Sequence, residues 1–197
     1  MIRTALVAGL VFGATFVSGC SSTLKAGQLN TAGRFDASAS VAPENLKIER
    51  PFDKSRFGAK VVVLPFTENN SVNEFYYTSI KNAGKFETVL DKAGVEKLVI
   101  QKNLTGVSDA SSILSLRNLS TTEGTFLVIK PYFEWKGGYD YTASLDAIDI
   151  TDGNVVFHAE KKAFNFAGLD KTLFYPIFNS FMDWVDGVPP PPVISKP

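Results

Sequence analysis

The pattern of apolar and polar positions changes its period along the chain, and its first part alternates strands with helices. The run "AKVVVLPF", Ala59 to Phe66, is continuously aliphatic and predicts a strand buried on both faces, central in a sheet. Apolar residues then recur every three or four positions from Val72 to Ala83 and stop at Gly84, as in a helix with a C-terminal glycine. "KFETVL" alternates like a short strand. Asp91 and Asp109 could each cap a further helix, which gives the order β-α-β-α-α.

The second part of the pattern has the period of strands. "TFLVIKPYFEW", "YDYTASLDAIDI" and "VVFHAEKKAFNF" follow one another across two glycine-containing connections, which predicts a three-stranded antiparallel meander. In the middle strand Leu145 and Ala147 stand at odd positions, which face one side of a regular strand. Ile148 and Ile150 stand at even positions, which face the other side, so the pattern predicts either a bulge or a strand buried on both faces. A final helix, with Pro176 in its first turn, is indicated by a stripe of Phe174, Ile177, Phe178, Phe181 and Val185.

These elements predict one domain over residues 58–187 of the α/β (α+β) class. Its order is β-α-β-α-α-β-β-β-α, in a three-layer-like arrangement whose mixed sheet ends in the antiparallel meander. About 130 residues with 45% apolar and 12% aromatic content in the whole chain can bury a core without disulfides. Residues 20–57 are rich in Ser, Ala, Gly and Asn without a sustained apolar period, which predicts a flexible tether. The Pro-rich tail, residues 188–197, is expected to be an extended spacer or a docking peptide.

The first 19 residues have the features of a secretory leader. Arg3 is their only charge, and the apolar run after it is shorter than the roughly 20 residues of a membrane-spanning helix. The sequence "FVSGC" then ends in Cys20, the chain's single cysteine, and resembles the bacterial lipobox. The resemblance implies cleavage before Cys20 and attachment of diacylglycerol and of acyl groups such as palmitate to it. The alternative is plain secretion with cleavage near Gly19 and a free thiol.

The charge balance and the motifs of the sequence limit the functions that can be expected. Twenty basic and twenty acidic residues cancel, so no nucleic-acid or anionic-lipid surface is indicated. His158 is the only histidine, lies in a predicted strand and has neither a nucleophile nor a metal ligand beside it in the sequence. Asp146, Asp149 and Asp152 resemble a carboxylate cluster, but strand alternation and a turn separate them. We therefore expect no enzyme, no catalytic residues, no cofactor, no metal and no small-molecule substrate.

Four stretches carry a resemblance at the level of the domain: "AKVVVLPF", "GKFETVLDKAGVEKLVIQKNL", "LRNLSTTEGTFLVIKPYFEW" and "LDAIDITDGNVVFHAEKKAF". They are similar to the periplasmic α/β domain of the curli-secretion channel lipoproteins, of the TolB N-terminal domain and of the lipoprotein activators of penicillin-binding proteins. These motifs mark a fold more than an activity. Among lipoproteins, the absence of Asp after the cysteine (here Ser21) goes with sorting to the outer membrane, which would leave the domain in the periplasm.

The resemblance implies a non-enzymatic assembly, scaffold or regulatory partner of an envelope protein machine. Such a chain would be held to the membrane by its N-terminal lipid, and it would bind envelope proteins or further copies of itself. The alternative is an oligomeric subunit of an outer-membrane secretion channel. That alternative would use the hairpin Thr125 to Ile150, whose strands are long enough to span. Removing this hairpin would take two of the five strands from the predicted sheet, so a core role for it is favoured.

Overall fold

A computed structural model of the chain describes residues 24–66, 70–164 and 168–192. Within these residues six strands form a single sheet in the order β1-β6-β5-β4-β2-β3. The strands are β1 (Leu46–Ile48), β2 (Lys60–Val63), β3 (Thr88–Leu90), β4 (Leu127–Gly137), β5 (Asp140–Asp149) and β6 (Val155–Phe164). The helices are α1 (Lys54–Phe57), α2 (Asn70–Asn82), α3 (Lys92–Gln101), α4 (Ile113–Glu123) and α5 (Tyr175–Val185), with a 3-10 turn at Pro43–Asn45 and a π-helical turn at Asp170–Phe174.

The sheet is mixed, as the sequence predicts. β2 lies between β3 and β4 and runs parallel to both. β4, β5 and β6 form the antiparallel meander, and β1 adds an antiparallel edge to β6. The α/β class, the element order from β2 onward and the interior place of the aliphatic strand are therefore confirmed.

Helices cover both faces of the sheet around β2, which makes the domain three-layered. Val61 and Val63 face a first core cluster under α2 and α5, and Val62 faces a second cluster under α3 and α4. The first cluster is aromatic and takes from these two helices Phe75, Tyr76, Phe178, Phe181 and Trp184. Each large apolar side chain buried in this way contributes roughly 1.5–3 kcal/mol, so this face holds most of the core.

The end of β5 shows why its apolar residues take both parities. Ala147 packs into the first cluster and Ile148 into the second, so β5 is buried on both faces here. The bulge lies in the neighbouring strand: Ala147 pairs with Phe157 while Ile148 pairs with Val155, which leaves Val156 as the extra residue of β6. Of the two alternatives predicted for the middle strand, burial on both faces is therefore the correct one, and the bulge belongs to β6.

One of the two predicted helix caps is confirmed and the other is wrong. The Asp91 carboxylate accepts a hydrogen bond from the backbone N–H of Gly94 at 2.7 Å, as an N-cap does. Asp109 instead accepts from the N–H and the hydroxyl of Ser111 and forms a local turn. Such short-range bonds compete with helix formation, so α4 begins only after Ser112.

This difference gives a matched pair of variants. Asp91→Ala is expected to lower the free energy of unfolding by about 1 kcal/mol, because α3 loses a side-chain cap. Ser112 is the N-cap residue of α4 but its side chain makes no capping hydrogen bond, so Ser112→Ala should leave stability nearly unchanged. Urea unfolding followed by circular dichroism measures both variants. A loss of similar size in the two would contradict the capping role of Asp91.

The segment before β2 corrects the prediction of a flexible tether. Residues 24–57, here called the strap, lie packed along the domain. Phe35 is 2% exposed, and its ring stacks on Tyr175 with centroids 4.8 Å apart. Arg34 donates through Nε to Asp183 and through Nη2 to Asp186, each at 2.8 Å. The strap therefore belongs to the domain, because its few aromatic and charged residues find buried or opposite-charge partners far along the chain.

Several predictions fall on residues outside the described ranges. The leader, Cys20 and residues 193–197 of the Pro-rich tail are among them. Within the ranges that are described, no helix combines the length and apolar character needed to cross a membrane.

Candidate interaction surface

Part of the second face of the sheet is left without a helical layer. α3 and α4 cover β2, β3, the first residues of β4 and the end of β5. Beyond these positions, no helix of residues 24–66, 70–164 and 168–192 contributes a buried side chain on this side. We call this region the open face, and it consists of Lys47, Lys130, Tyr132, Glu134, Thr142, Ser144, Asp146, His158, Glu160 and Lys162.

Strand register arranges the open face in polar rows. Residues directly opposite on neighbouring strands lie close enough for their side chains to interact. Its three lysines are matched by three carboxylates, so the surface has no strong net charge. From β4 across to β6 the rows are Lys130, Asp146 and His158; Tyr132, Ser144 and Glu160; and Glu134, Thr142 and Lys162.

His158 takes a structural place in the first of these rows. Its Nδ1 lies 2.5 Å from Oδ1 of Asp146, directly across the strand pair. The described residues offer the other ring nitrogen no hydroxyl or thiol at hydrogen-bond distance, so nothing in this row forms a nucleophile with its base. His158 is thus a strand residue whose ring is paired with a carboxylate, while the expectation that the chain is no enzyme stays a prediction.

The other two aspartates of the apparent carboxylate cluster form ion pairs with arginines of the strap. Asp149 is fully buried and lies 3.2 Å from Arg50 and 2.9 Å from Arg56. Asp152 lies 2.6 Å from Arg50, whose hydrogen bond lowers the pKa of this carboxyl to about 2. Over the ranges that the structure describes, no group of three or more His, Cys, Asp or Glu side chains is placed to hold a metal ion.

Small hydroxyl residues form the centre of the open face. Thr142 is 3% exposed and Ser144 is 7% exposed, although no helix of the described chain lies over them. Longer side chains on β4 and β6 flank them and restrict access. Among the described residues Thr142 Oγ1 is buried with no hydrogen-bond partner. A buried polar group without a partner costs about 1–3 kcal/mol, so this hydroxyl would gain from a partner that reaches it.

The open face is fixed from below by the core. Tyr76 of α2 reaches the backbone of the sheet from the first core cluster, and its hydroxyl lies 3.1 Å from the Ser144 carbonyl oxygen and 3.3 Å from that of Tyr132. Burial raises the pKa of Tyr76, which keeps the phenol protonated as a donor. On the surface, a hydrogen bond with Glu134 is the main cause of the raised pKa of Tyr132. The surface is therefore preformed, since its backbone is tied to the core.

A separate crevice of about 670 Å³ lies at the carboxyl ends of β2 and β3. The chain leaves these neighbouring strands toward opposite faces, which is where α/β sheets commonly bind ligands. Two of its polar groups are engaged in the fold: Asp91 caps α3, and Asn73 Oδ1 accepts from the Phe66 N–H at 3.0 Å. The expectation of no small-molecule substrate stays a prediction.

Comparison with known proteins gives structural neighbours only. No family model and no curated protein matches the chain. A dodecamer of a PelC variant from Paraburkholderia phytofirmans is 15% identical over 68% of this chain and 94% of its own, with a TM-score of 0.43. The LpoB C-terminal domain is 13% identical in two species. The Salmonella enterica domain matches over 55% of this chain and 84% of its own (TM-score 0.40), and the Escherichia coli domain over 58% and 88% (TM-score 0.41). Similarity at this level does not show that the chain shares a function with these proteins.

The open face is not among the features predicted from the sequence, although the alternation of polar residues in β5 and β6 indicates it. In "YTASLDA" the even positions Thr142, Ser144 and Asp146 are polar, while the odd positions are aromatic or aliphatic. The same parity holds in "FHAEKKA", where the polar residues His158, Glu160 and Lys162 alternate with Phe157, Ala159, Lys161 and Ala163. Strands with one polar face normally turn that face to water, so two such neighbours indicate an uncovered surface.

Proposed function

We propose that the chain is a lipid-anchored protein of the outer membrane whose periplasmic domain serves as a non-enzymatic partner of an envelope protein machine. The open face is the surface where that machine docks. The lipobox-like sequence at Cys20 supports the anchor. The observation that carries the docking role is the open face itself, a preformed polar surface with the unpaired Thr142 hydroxyl at its centre.

The chemistry of the open face favours a reversible protein complex. Strands about 4.8 Å apart and same-face residues about 6.8 Å apart give it roughly 20 by 20 Å, on the order of 400 Å². A stable complex takes about 800 Å² from each partner. The balanced charges suit a partner with its own mixed polar surface, and they do not suit nucleic acid.

The channel-subunit alternative is disfavoured by the packing of the β4–β5 hairpin. Leu127 and Ile129 at the start of β4 are fully buried, and so is their partner strand at Leu145 and Ala147. A hairpin that left the domain to span a membrane would remove these side chains from the core. The hairpin is therefore part of the domain's core.

The test is a crosslinking pull-down from intact cells, with the full chain tagged after Pro197. The open-face variant is Lys130→Glu with Lys162→Glu, two exposed lysines. The control, Lys81→Glu with Lys97→Glu, makes the same change in charge at exposed positions on α2 and α3. We expect the unchanged protein and the control to enrich one envelope assembly, and the open-face variant to lose it.

A Cys20→Ala variant completes the design, and it should lose both the membrane fraction and the assembly. Equal recovery from the open-face variant and its control would contradict docking through this surface. Recovery of self-crosslinked rings alone would instead favour the channel subunit.

A further inference from the structure

One end of the sheet carries exposed aromatic side chains. Trp135 is 63%, Tyr139 41% and Phe164 73% exposed, and we call these three residues the aromatic tip. They are held in place: the Trp135 indole N–H donates to the Gly138 carbonyl at 3.1 Å, and the rings of Tyr139 and Phe164 meet edge to face at 5.9 Å. An ordered aromatic group in water indicates a contact surface.

The aromatic tip lies at the end of the domain where α5 begins. β4 and β6 run in the same direction, so their carboxyl ends at Gly137 and Phe164 meet at one end of the sheet. Phe174, immediately before α5, packs on Phe133 of β4 with ring centroids 5.6 Å apart. Phe133 is two residues from Trp135, so the first turn of α5 and the aromatic tip share this end.

The strap starts at the same end. The Tyr175 hydroxyl lies 3.5 Å from the Lys25 carbonyl oxygen, and Leu24 lines a small surface cavity with Glu74 and Phe75 of the first turns of α2. β2 runs toward this end, and α2 begins shortly after β2 stops. Leu24, beside the first turns of α2, therefore lies near the carboxyl end of β2.

The length of chain between Cys20 and Leu24 limits how far this end of the domain can lie from a lipid on Cys20. Four peptide units separate Cys20 from Leu24, and at about 3.6 Å each they span at most about 14 Å. This step rests on the proposed lipid attachment at Cys20. The lipid therefore holds the end of the domain with the aromatic tip close to the membrane surface and leaves the open face at the side, accessible to a partner.

We infer that the aromatic tip inserts into the interfacial layer of the membrane that holds the anchor. Trp and Tyr are the side chains enriched at that layer, because their rings are apolar and their polar atoms stay near the headgroups. The charges nearest to the tip are Lys136, which lies 3.6 Å from Glu134, and Asp140 beside Tyr139, so the tip has no excess of positive charge. The ligand is thus a phospholipid surface in general, and anionic headgroups are not required.

The two tryptophans of the chain make the inference measurable, because Trp184 is 3% exposed in the core while Trp135 lies in the aromatic tip. The full mature lipoprotein with Trp184→Phe is reconstituted into phosphatidylethanolamine and phosphatidylglycerol vesicles, with and without brominated acyl chains. We expect the Trp135 emission to lose much of its intensity in the brominated vesicles. The matched Trp135→Phe protein, in which only Trp184 emits, should show no such loss.

Unquenched Trp135 emission, at the wavelength of a water-exposed indole, would overturn the inference and leave the tip as a protein contact. Mass spectrometry of the mature chain tests the anchor separately. If Cys20 carries no lipid, the proposed anchoring fails, while quenching of Trp135 in vesicles mixed with the unlipidated chain would still support insertion of the tip. Equal quenching in vesicles without phosphatidylglycerol is expected, and quenching only with anionic lipid would contradict insertion by the aromatic side chains.

Discussion

Asp149→Ala is expected to lower the free energy of unfolding by about 3 kcal/mol, the lower end of the cost of breaking a buried ion pair. The carboxylate is fully buried and joins the strap to the end of β5 through Arg50 and Arg56. It also accepts from the N–H and the hydroxyl of Thr151, at 3.0 and 2.7 Å. Both arginines are about two-fifths exposed, so water can solvate them after the change, which keeps the loss below the top of that range.

Asp152→Ala is the control for this result. It removes the same charge three residues away and also takes one of the two carboxylate partners from Arg50, but the Asp152 side chain is 36% exposed. Urea unfolding of the two purified variants should show a much larger loss for Asp149→Ala. Equal losses would mean that the pairing of Arg50 matters and that the buried position of Asp149 does not.

Local pattern was sufficient for the elements whose partners are near in sequence. The three valines of β2 predict a strand covered on both faces, and the stripe on α5 predicts the helix that covers one of them. Asp109 shows the limit of this reasoning, because a carboxylate that could cap a helix found the closer N–H of Ser111 first. The choice between two local hydrogen bonds depends on backbone geometry that spacing does not reveal.

The strap and the open face depend on contacts that the local pattern does not contain. Isolated aromatics such as Phe35 and Phe52 do not form a period, and their ring partners Tyr175 and Trp184 lie more than 130 residues away. The open face, in turn, is defined by where α3 and α4 end over the sheet. Alternation can indicate a polar strand face, but only the packing of the helices shows which face stays uncovered.

The strap gives the second large expected effect: Phe35→Ala should lower the free energy of unfolding by about 3–5 kcal/mol, the usual cost of removing a buried phenylalanine. The ring is 2% exposed, and besides stacking on Tyr175 it contacts Phe178 at 5.8 Å between centroids. Phe164→Ala is the same chemical change at a side chain 73% exposed, and it should change stability little. Urea unfolding compares the two.

Limited digestion with trypsin distinguishes more directly between a packed strap and a flexible tether. In the unchanged protein Arg34 is held by Asp183 and Asp186 of the α5 region, so cleavage after Arg34 should be slow. Loss of the Phe35 ring removes the apolar contact beside that ion pair, and exposed ion pairs alone contribute little, so Phe35→Ala should be cut there much faster. Rapid cleavage after Arg34 in the unchanged protein would support the flexible tether instead of the strap. It would also weaken the inference that the aromatic tip reaches the membrane, because a longer flexible chain would then separate the proposed lipid from the domain.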